Sequence, residues 1–216
     1  MNPRLKNLWK DNKSLLLFLA LMMVFRSAVA DWNDVPTGSM KPTIVEGDRL
    51  LINKMAYDLR VPFTTVSLVH LDDPERGEII IFESAVSAQR LVKLVIGLPG
   101  DRVAMINNRV QLNGVLLDYE LIESAATHSD YSETLGGERH SVRISKAASR
   151  AANFDAVTVP AGHYLVLGDN RDNSADSRYI GFVPRAEIIG RSNRLALSLD
   201  YENYFLPKGE RFLLEI

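Results

Sequence analysis

Ser39 is the first residue in this chain whose setting suggests chemistry. It follows Gly38 and lies between Pro36 and Pro42, in Pro36-Thr37-Gly38-Ser39-Met40-Lys41-Pro42-Thr43. Proline fixes φ and glycine admits close backbone approach, so the hydroxyl would be displayed on a stiff loop. Taken alone, the same composition reads more simply as a linker. A serine nucleophile also needs a base. None of His70, His128, His140 and His163 stands in a triad motif. Ser-x-x-Lys fails because Pro42 holds the fourth position, and G-x-S-x-G fails because Gly38 adjoins Ser39.

A lysine offers the alternative base. Lys93 sits in the apolar run Arg90-Leu91-Val92-Lys93-Leu94-Val95-Ile96. With period 2, Leu91, Lys93 and Val95 share one face and Val92, Leu94 and Ile96 the other. Both faces are apolar, which predicts a partly buried lysine, although a lone strand lysine commonly snorkels to solvent. Burial disfavours the charged amine and can lower its pKa by about 3–5 units, enough to make it a base near neutrality. Lys41 and Lys54 are rivals. Lys41 is too near Ser39 in sequence, beside Pro42, to fold back easily, and Lys54 ends an alternating strand and reads as exposed.

The third segment is Gly168-Asp169-Asn170-Arg171-Asp172-Asn173-Ser174-Ala175-Asp176-Ser177-Arg178. As a calcium loop starting at Asp172 it places Ser177 where glycine is needed and Val183 where glutamate is needed, so the EF-hand reading fails. An irregular calcium site stays open. The simpler reading is a tight loop whose Asp, Asn and Arg side chains satisfy one another by charge-assisted hydrogen bonds. Ser174 could bond a nearby amine.

These segments need elements to position them. Short apolar or alternating runs fall at 49–53, 78–82, 90–96, 102–106, 109–112, 141–144, 156–159, 164–167, 180–183 and 194–199. Turn signals at Asn107-Asn108, Asn113-Gly114, Pro99-Gly100 and Gly162 separate them. Many short strands without long helical periods predict an all-β barrel or sandwich. The polar stretch 117–153, with Gly136-Gly137 inside it, reads as an inserted surface excursion, with a short helix within 145–153.

The 216-residue chain is 46% hydrophobic and 24% charged, with net charge −2 and no cysteine. A disulfide framework and a cysteine-based zinc site are excluded, and nothing in the charge calls for nucleic acid. At the N-terminus, Arg4, Lys6, Lys10 and Lys13 precede the apolar run Leu15 to Phe25. A cleaved signal peptide ending at Ala28-Val29-Ala30, a buried helix and an uncleaved signal anchor over 14–30 all fit this segment. The anchor reading requires Arg26 to snorkel. The basic flank would remain inside and the rest of the chain would be translocated.

Taken in order, the three segments resemble bacterial type I signal peptidase. Thr37 to Thr43 is similar to that family's nucleophile motif and Gly47 to Lys54 to the strand after it. Arg76 to Phe82, Lys93 to Asp101 and Gly168 to Pro184 are similar to its later blocks. The resemblance implies a mostly β, signal-peptidase-like fold of coiled, barrel-like antiparallel sheets behind one N-terminal transmembrane helix. Residues 1–13 would be cytoplasmic, 14–30 the anchor and 31–216 an extracytoplasmic peptidase domain with a variable excursion at about 104–160. It further implies Ser39 as nucleophile and Lys93 as general base, with the Ser39 amide and Thr37 hydroxyl as oxyanion hole. Ser174 would orient the lysine, with Asp176 and Arg178 in support. Val35, Pro36, Met40, Ile44, Leu91 and Val92 would surround shallow pockets that admit small residues before the scissile bond. The partners would be preprotein signal peptides and membrane lipid, with no metal or cofactor. The setting would be the outer, periplasmic side of a bacterial cytoplasmic membrane. A Ser–Lys peptidase with a narrow substrate, such as a conjugative pilin precursor, is the neighbouring alternative. A catalytically idle anchored binding protein is the alternative from another class.

Overall fold

The computed structural model describes residues 12–216 apart from Thr65, Ala148 and Glu202. Helix α1 (Lys13–Ala28) leads into the strands β1 (Ala30–Asp34), β2 (Asp48–Asn53), β3 (Asp58–Arg60), β4 (Ser67–His70), β5 (Ile79–Ser84) and β6 (Gln89–Gly97). There follow β7 (Arg102–Ile106), β8 (Arg109–Leu112), β9 (Val115–Leu116), β10 (Tyr119–Ser124), β11 (His128–Leu135) and β12 (Glu138–Ser145). The chain closes with β13 (Phe154–Thr158), β14 (His163–Leu167), the one-turn helix α2 (Ser177–Ile180), β15 (Val183–Pro184), β16 (Ile188–Asp200) and β17 (Leu206–Pro207).

One large antiparallel sheet runs β1-β2-β16-β5-β6-β14-β15, with β17 also on β16. Both of its faces are covered. Val92, Leu94 and Ile96 of β6 pack into one cluster with Met40, Ile44, Leu50 and Leu167. Leu91 and Val95 pack into a second cluster with Ile80, Phe82 and Val166. The two apolar faces expected of this strand are therefore both used, and Lys93 belongs to the face of the second cluster. A four-stranded sheet β13-β7-β8-β9 and a hairpin β3-β4 complete this part. Asn107 and Asn108 both take positive φ, 50° and 62°, as a two-residue turn between β7 and β8 demands.

Pairing around β6 leaves an opening. β5 covers Gln89 to Leu94 on one side, whereas β14 pairs only from Leu94 to Gly97 on the other. Among the described residues, Gln89 to Lys93 has no strand partner on that second edge.

Three sequence expectations need correction. The stretch 117–153 is not a loose excursion: β10, β11 and β12 form a three-stranded sheet, with Gly136-Gly137 as the hairpin turn. Apolar alternation was absent because β11 buries Ser129, Asp130 and Glu133. The helix expected within 145–153 is a single 3-10 turn, Arg150–Ala152. Of the run 180–183 only Val183 is strand, at the start of β15, since Ile180 ends α2 and Gly181 turns the chain at φ 78°.

At the N-terminus, α1 ends at Ala28, and Ala30, already in β1, pairs with Asn53 of β2. The helix is shorter than the expected 14–30 span, and Ala28-Val29-Ala30 is not helical throughout. At 16 residues α1 would extend about 24 Å, below the ~30 Å of a bilayer core. Among the described residues no helix is long and apolar enough to cross a membrane.

Candidate active site

Ser39 lies in a turn between β1 and β2 that is braced from inside. Ile44 N–H donates to Met40 O at 2.9 Å, and Met40 and Ile44 are 1% and 0% exposed, so the turn is nailed to the core behind it. In front of it runs the loop after β14. Asn170 N–H donates to Ser39 O at 3.0 Å, and Asn170 Nδ2 donates to Gly38 O at 2.9 Å. Neither bond uses the Ser39 N–H.

Lys93 meets Ser39 across this contact. Its Nζ lies 2.9 Å from Ser39 Oγ and donates to its neighbour Val92 O at 2.9 Å. The residue is 2% exposed. Burial pushes its pKa down from 10.5 to about 8, while the negative charges of Asp176 and Asp169 pull it back up and Arg178 lowers it. An amine so placed can accept the serine proton, because a useful fraction is neutral near neutrality.

The rivals are engaged elsewhere. Lys41 Nζ pairs with Glu46 at 2.7 Å. Lys54 is not the exposed residue expected: its Nζ pairs with Asp31 at 3.1 Å and donates to Arg26 O and Ser27 O, tying the end of α1 to the sheet.

Asp176 and Arg178 form a buried pair. Arg178 Nε and Nη2 donate to the two Asp176 oxygens at 2.8 and 2.7 Å, and Asp176 Oδ2 accepts the Gly168 N–H at 3.0 Å. Their side chains are 0% and 4% exposed. The pair thus holds both ends of the loop 168–178. Ser174 Oγ is buried without a hydrogen-bond partner in this state. It does share one cleft of about 400 Å³ with Ser39, Lys93 and Thr37.

Leu91, Gln89 and Tyr179 line the same cleft. Of the six residues expected around the substrate, only Leu91 does so. Val35, Met40 and Ile44 are core residues at 5%, 1% and 0% exposure. Pro36 is exposed, and Val92 is half-buried against the first core cluster. Among the described residues no cluster of His, Asp and Glu could hold a metal ion.

Sequence reasoning missed Glu133 and the pairing it gives Arg171. Arg171 and Glu133 form an ion pair at 2.7 Å with both side chains at 0% exposure. Burial alone would raise the Glu133 pKa, but the Arg171 charge and the His140 contact hold it at about 2. Arg171 stood inside the third motif as one polar residue among many. No signal marked Glu133, whose partner lies far along the chain.

A family model described as signal peptidase, peptidase S26, matches residues 8–196. A Pseudomonas aeruginosa chain named signal peptidase I is 36% identical over 196 residues, covering 83% of this chain and 69% of that one. The Pseudomonas fluorescens chain of the same name is 35% identical with the same coverage. A Synechocystis chain named probable signal peptidase I-2 is 36% identical over 194 residues, covering 87% of this chain and 72% of its own.

Proposed function

This chain belongs to the signal peptidase family, peptidase S26, and from that premise we propose a serine endopeptidase that removes signal peptides from exported preproteins with a Ser39–Lys93 dyad. The observation that carries the reading is the 2.9 Å approach of the buried Lys93 amine to Ser39 Oγ. Neutral Lys93 takes the hydroxyl proton as Ser39 Oγ attacks the scissile carbonyl carbon. The resulting ammonium then gives that proton to the leaving amine as the C–N bond breaks. Water, deprotonated by the same amine, releases the acyl group from Ser39. The Ser39 N–H and the Thr37 hydroxyl serve the oxyanion, in a cleft that contains both residues. Ser174, beside Lys93 in that cleft, orients the amine once substrate is bound.

Substrate enters as an added strand along the open edge of β6 from Gln89 to Val92, where backbone bonds supply affinity independent of sequence. Small residues before the scissile bond would fit the confined cleft lined by Leu91, Thr37 and Tyr179. The apolar stretch of α1, whose Leu17 and Leu21 are 61% and 59% exposed, is the segment proposed to anchor the enzyme in the bacterial cytoplasmic membrane, although its 16 described helical residues fall short of a full crossing. The peptidase domain then lies on the outer side, where exported chains emerge.

The test is cleavage of a purified preprotein in detergent by wild type, Ser39→Ala and Lys93→Ala. Wild type should release a mature chain with the N-terminus that follows Ala-X-Ala, and both variants should be inactive. Turnover that persists in either variant sinks the dyad. Wild-type inactivity on general preproteins sinks the broad substrate assignment.

A further inference from the structure

The buried polar centre beside the catalytic cleft has no place in the mechanism above. Glu133 stands on β11 with 0% exposure. Its Oε1 accepts Arg171 Nη2 at 2.7 Å and lies 3.0 Å from His140 Nε2 on β12, while its Oε2 takes the Tyr119 hydroxyl. Arg171 also donates through Nη1 to Asn108 O at 3.3 Å and to Tyr119 Oη at 3.2 Å. A charge pair so deep is costly to assemble and adds little net stability over an apolar pair, so its worth lies in fixing geometry.

What it fixes is the loop that holds the nucleophile. Arg171 is followed backwards by Asn170, whose N–H and side chain grip Ser39 O and Gly38 O. On its other side the loop is stitched to β12. Arg143 N–H donates to Asp169 O at 2.8 Å, Arg171 N–H to Arg143 O at 2.9 Å, and Ser145 N–H to Asp172 Oδ2 at 2.8 Å. A single chain of contacts thus runs from Glu133 through Arg171 and Asn170 to the backbone of Ser39.

We propose that Glu133 is a positioning residue of the peptidase: through Arg171 it sets the Asn170 grip on Ser39, so that the β10-β11-β12 sheet is part of the catalytic frame. The inference rests on the Ser39–Lys93 reading. Small displacements suffice, since a misplacement of about 1 Å in a reacting group can cost on the order of 10²-fold in rate. Substrate contacts along β6 lie outside this path, so kcat should fall while KM holds.

The experiment compares wild type with Glu133→Gln and with the double variant Glu133→Met, Arg171→Met, which removes both charges and leaves no unpaired one. For folded protein with a cooperative thermal transition, kcat on a preprotein should fall at least tenfold with KM within threefold. The acid limb of the pH–rate profile should move to lower pH, because Asp169, one of the charges that raises the Lys93 pKa, sits on the released loop. Wild-type kcat and an unmoved limb in the folded double variant overturn the proposal. Where the double variant does not fold, Arg171→Lys decides: it keeps the charge pair but loses the two-pronged donor, and kcat should fall at least threefold with KM held. Unchanged kcat there overturns the proposal. Ser39→Ala, run alongside, should be inactive, and turnover in it overturns the dyad and this inference with it.

Discussion

Gly168 and Ser39 meet backbone to backbone: a Cβ built on Gly168 would lie 2.5 Å from Ser39 O and would also collide with Ser174 Oγ. One glycine therefore sets how near the Ser39 loop and the loop carrying Ser174 can come. Gly168→Ala must push them apart, because the Ser39 carbonyl oxygen is backbone and Ser174 Cβ, 2.6 Å away, cannot turn aside as the Ser174 hydroxyl can. Cleavage should fall by about 100-fold or more, with a loss of about 1–3 kcal/mol in stability. Turnover kinetics and denaturant unfolding of the same preparation check both numbers.

The pH dependence follows from Lys93. As the proposed base its amine would act when neutral, and burial holds its pKa down at about 8. The rate should climb with pH through about 8 and level off above it, with roughly a tenth of the enzyme active at pH 7. A rate that is flat from pH 6 to 9 would contradict a lysine base.

Stability and activity should part at the same residue. Below its folded pKa, Lys93 is a buried charge that the unfolded chain would solvate freely. The unfolded state binds the extra proton between pH 8 and 10.5, so stability rises with pH across that window. Lys93→Met should abolish cleavage and stabilise the fold by about 1–3 kcal/mol at pH 7. The gain should shrink as pH approaches 10.5. Thermal unfolding at pH 7 and pH 10 measures it.

Arg178 acts on that amine through charge. It pairs with Asp176, and its positive charge lowers the Lys93 pKa while Asp176 raises it. Arg178→Gln leaves Asp176 uncompensated. The acid limb of the pH–rate profile should then move to higher pH, and the broken buried pair should cost about 3–5 kcal/mol. The assay belongs below the lowered melting temperature, with the limb fitted over a full pH series.

The proposed oxyanion role of Thr37 is separable from its shape. Thr37→Val keeps the branched outline and removes the hydroxyl, so kcat should drop about 10²–10³-fold. Thr37→Ser restores the donor and should recover most of the rate. Equal activity in both variants would place the oxyanion elsewhere.

Local rules were enough for the turns and left the lysine open. Lys93 lies in a strand with two apolar faces, a pattern that allows partial burial or a side chain snorkelling to solvent, and the structure decides for burial at 2% exposure. Asn107-Asn108 announces a tight turn because its backbone must take positive φ. The same rules failed at β11, where a strand buries Ser129, Asp130 and Glu133. Periodicity counts apolar side chains, and this strand buries polar ones whose partners lie far away in sequence.

The sequence by itself determined the family membership carried by the ordered blocks, and it singled out Ser39, Lys93 and the Gly168–Arg178 loop only when those blocks were taken together. Only the tertiary structure decided that Ser39 and Lys93 stand 2.9 Å apart and that the Asn170 N–H bonds the Ser39 carbonyl. It also decided that Glu133 finds Arg171 in the interior. The reason is one of range. Burial of a strand is written in its own residues, whereas a contact between residues 39 and 93, or 133 and 171, depends on how the sheets close over the chain between them.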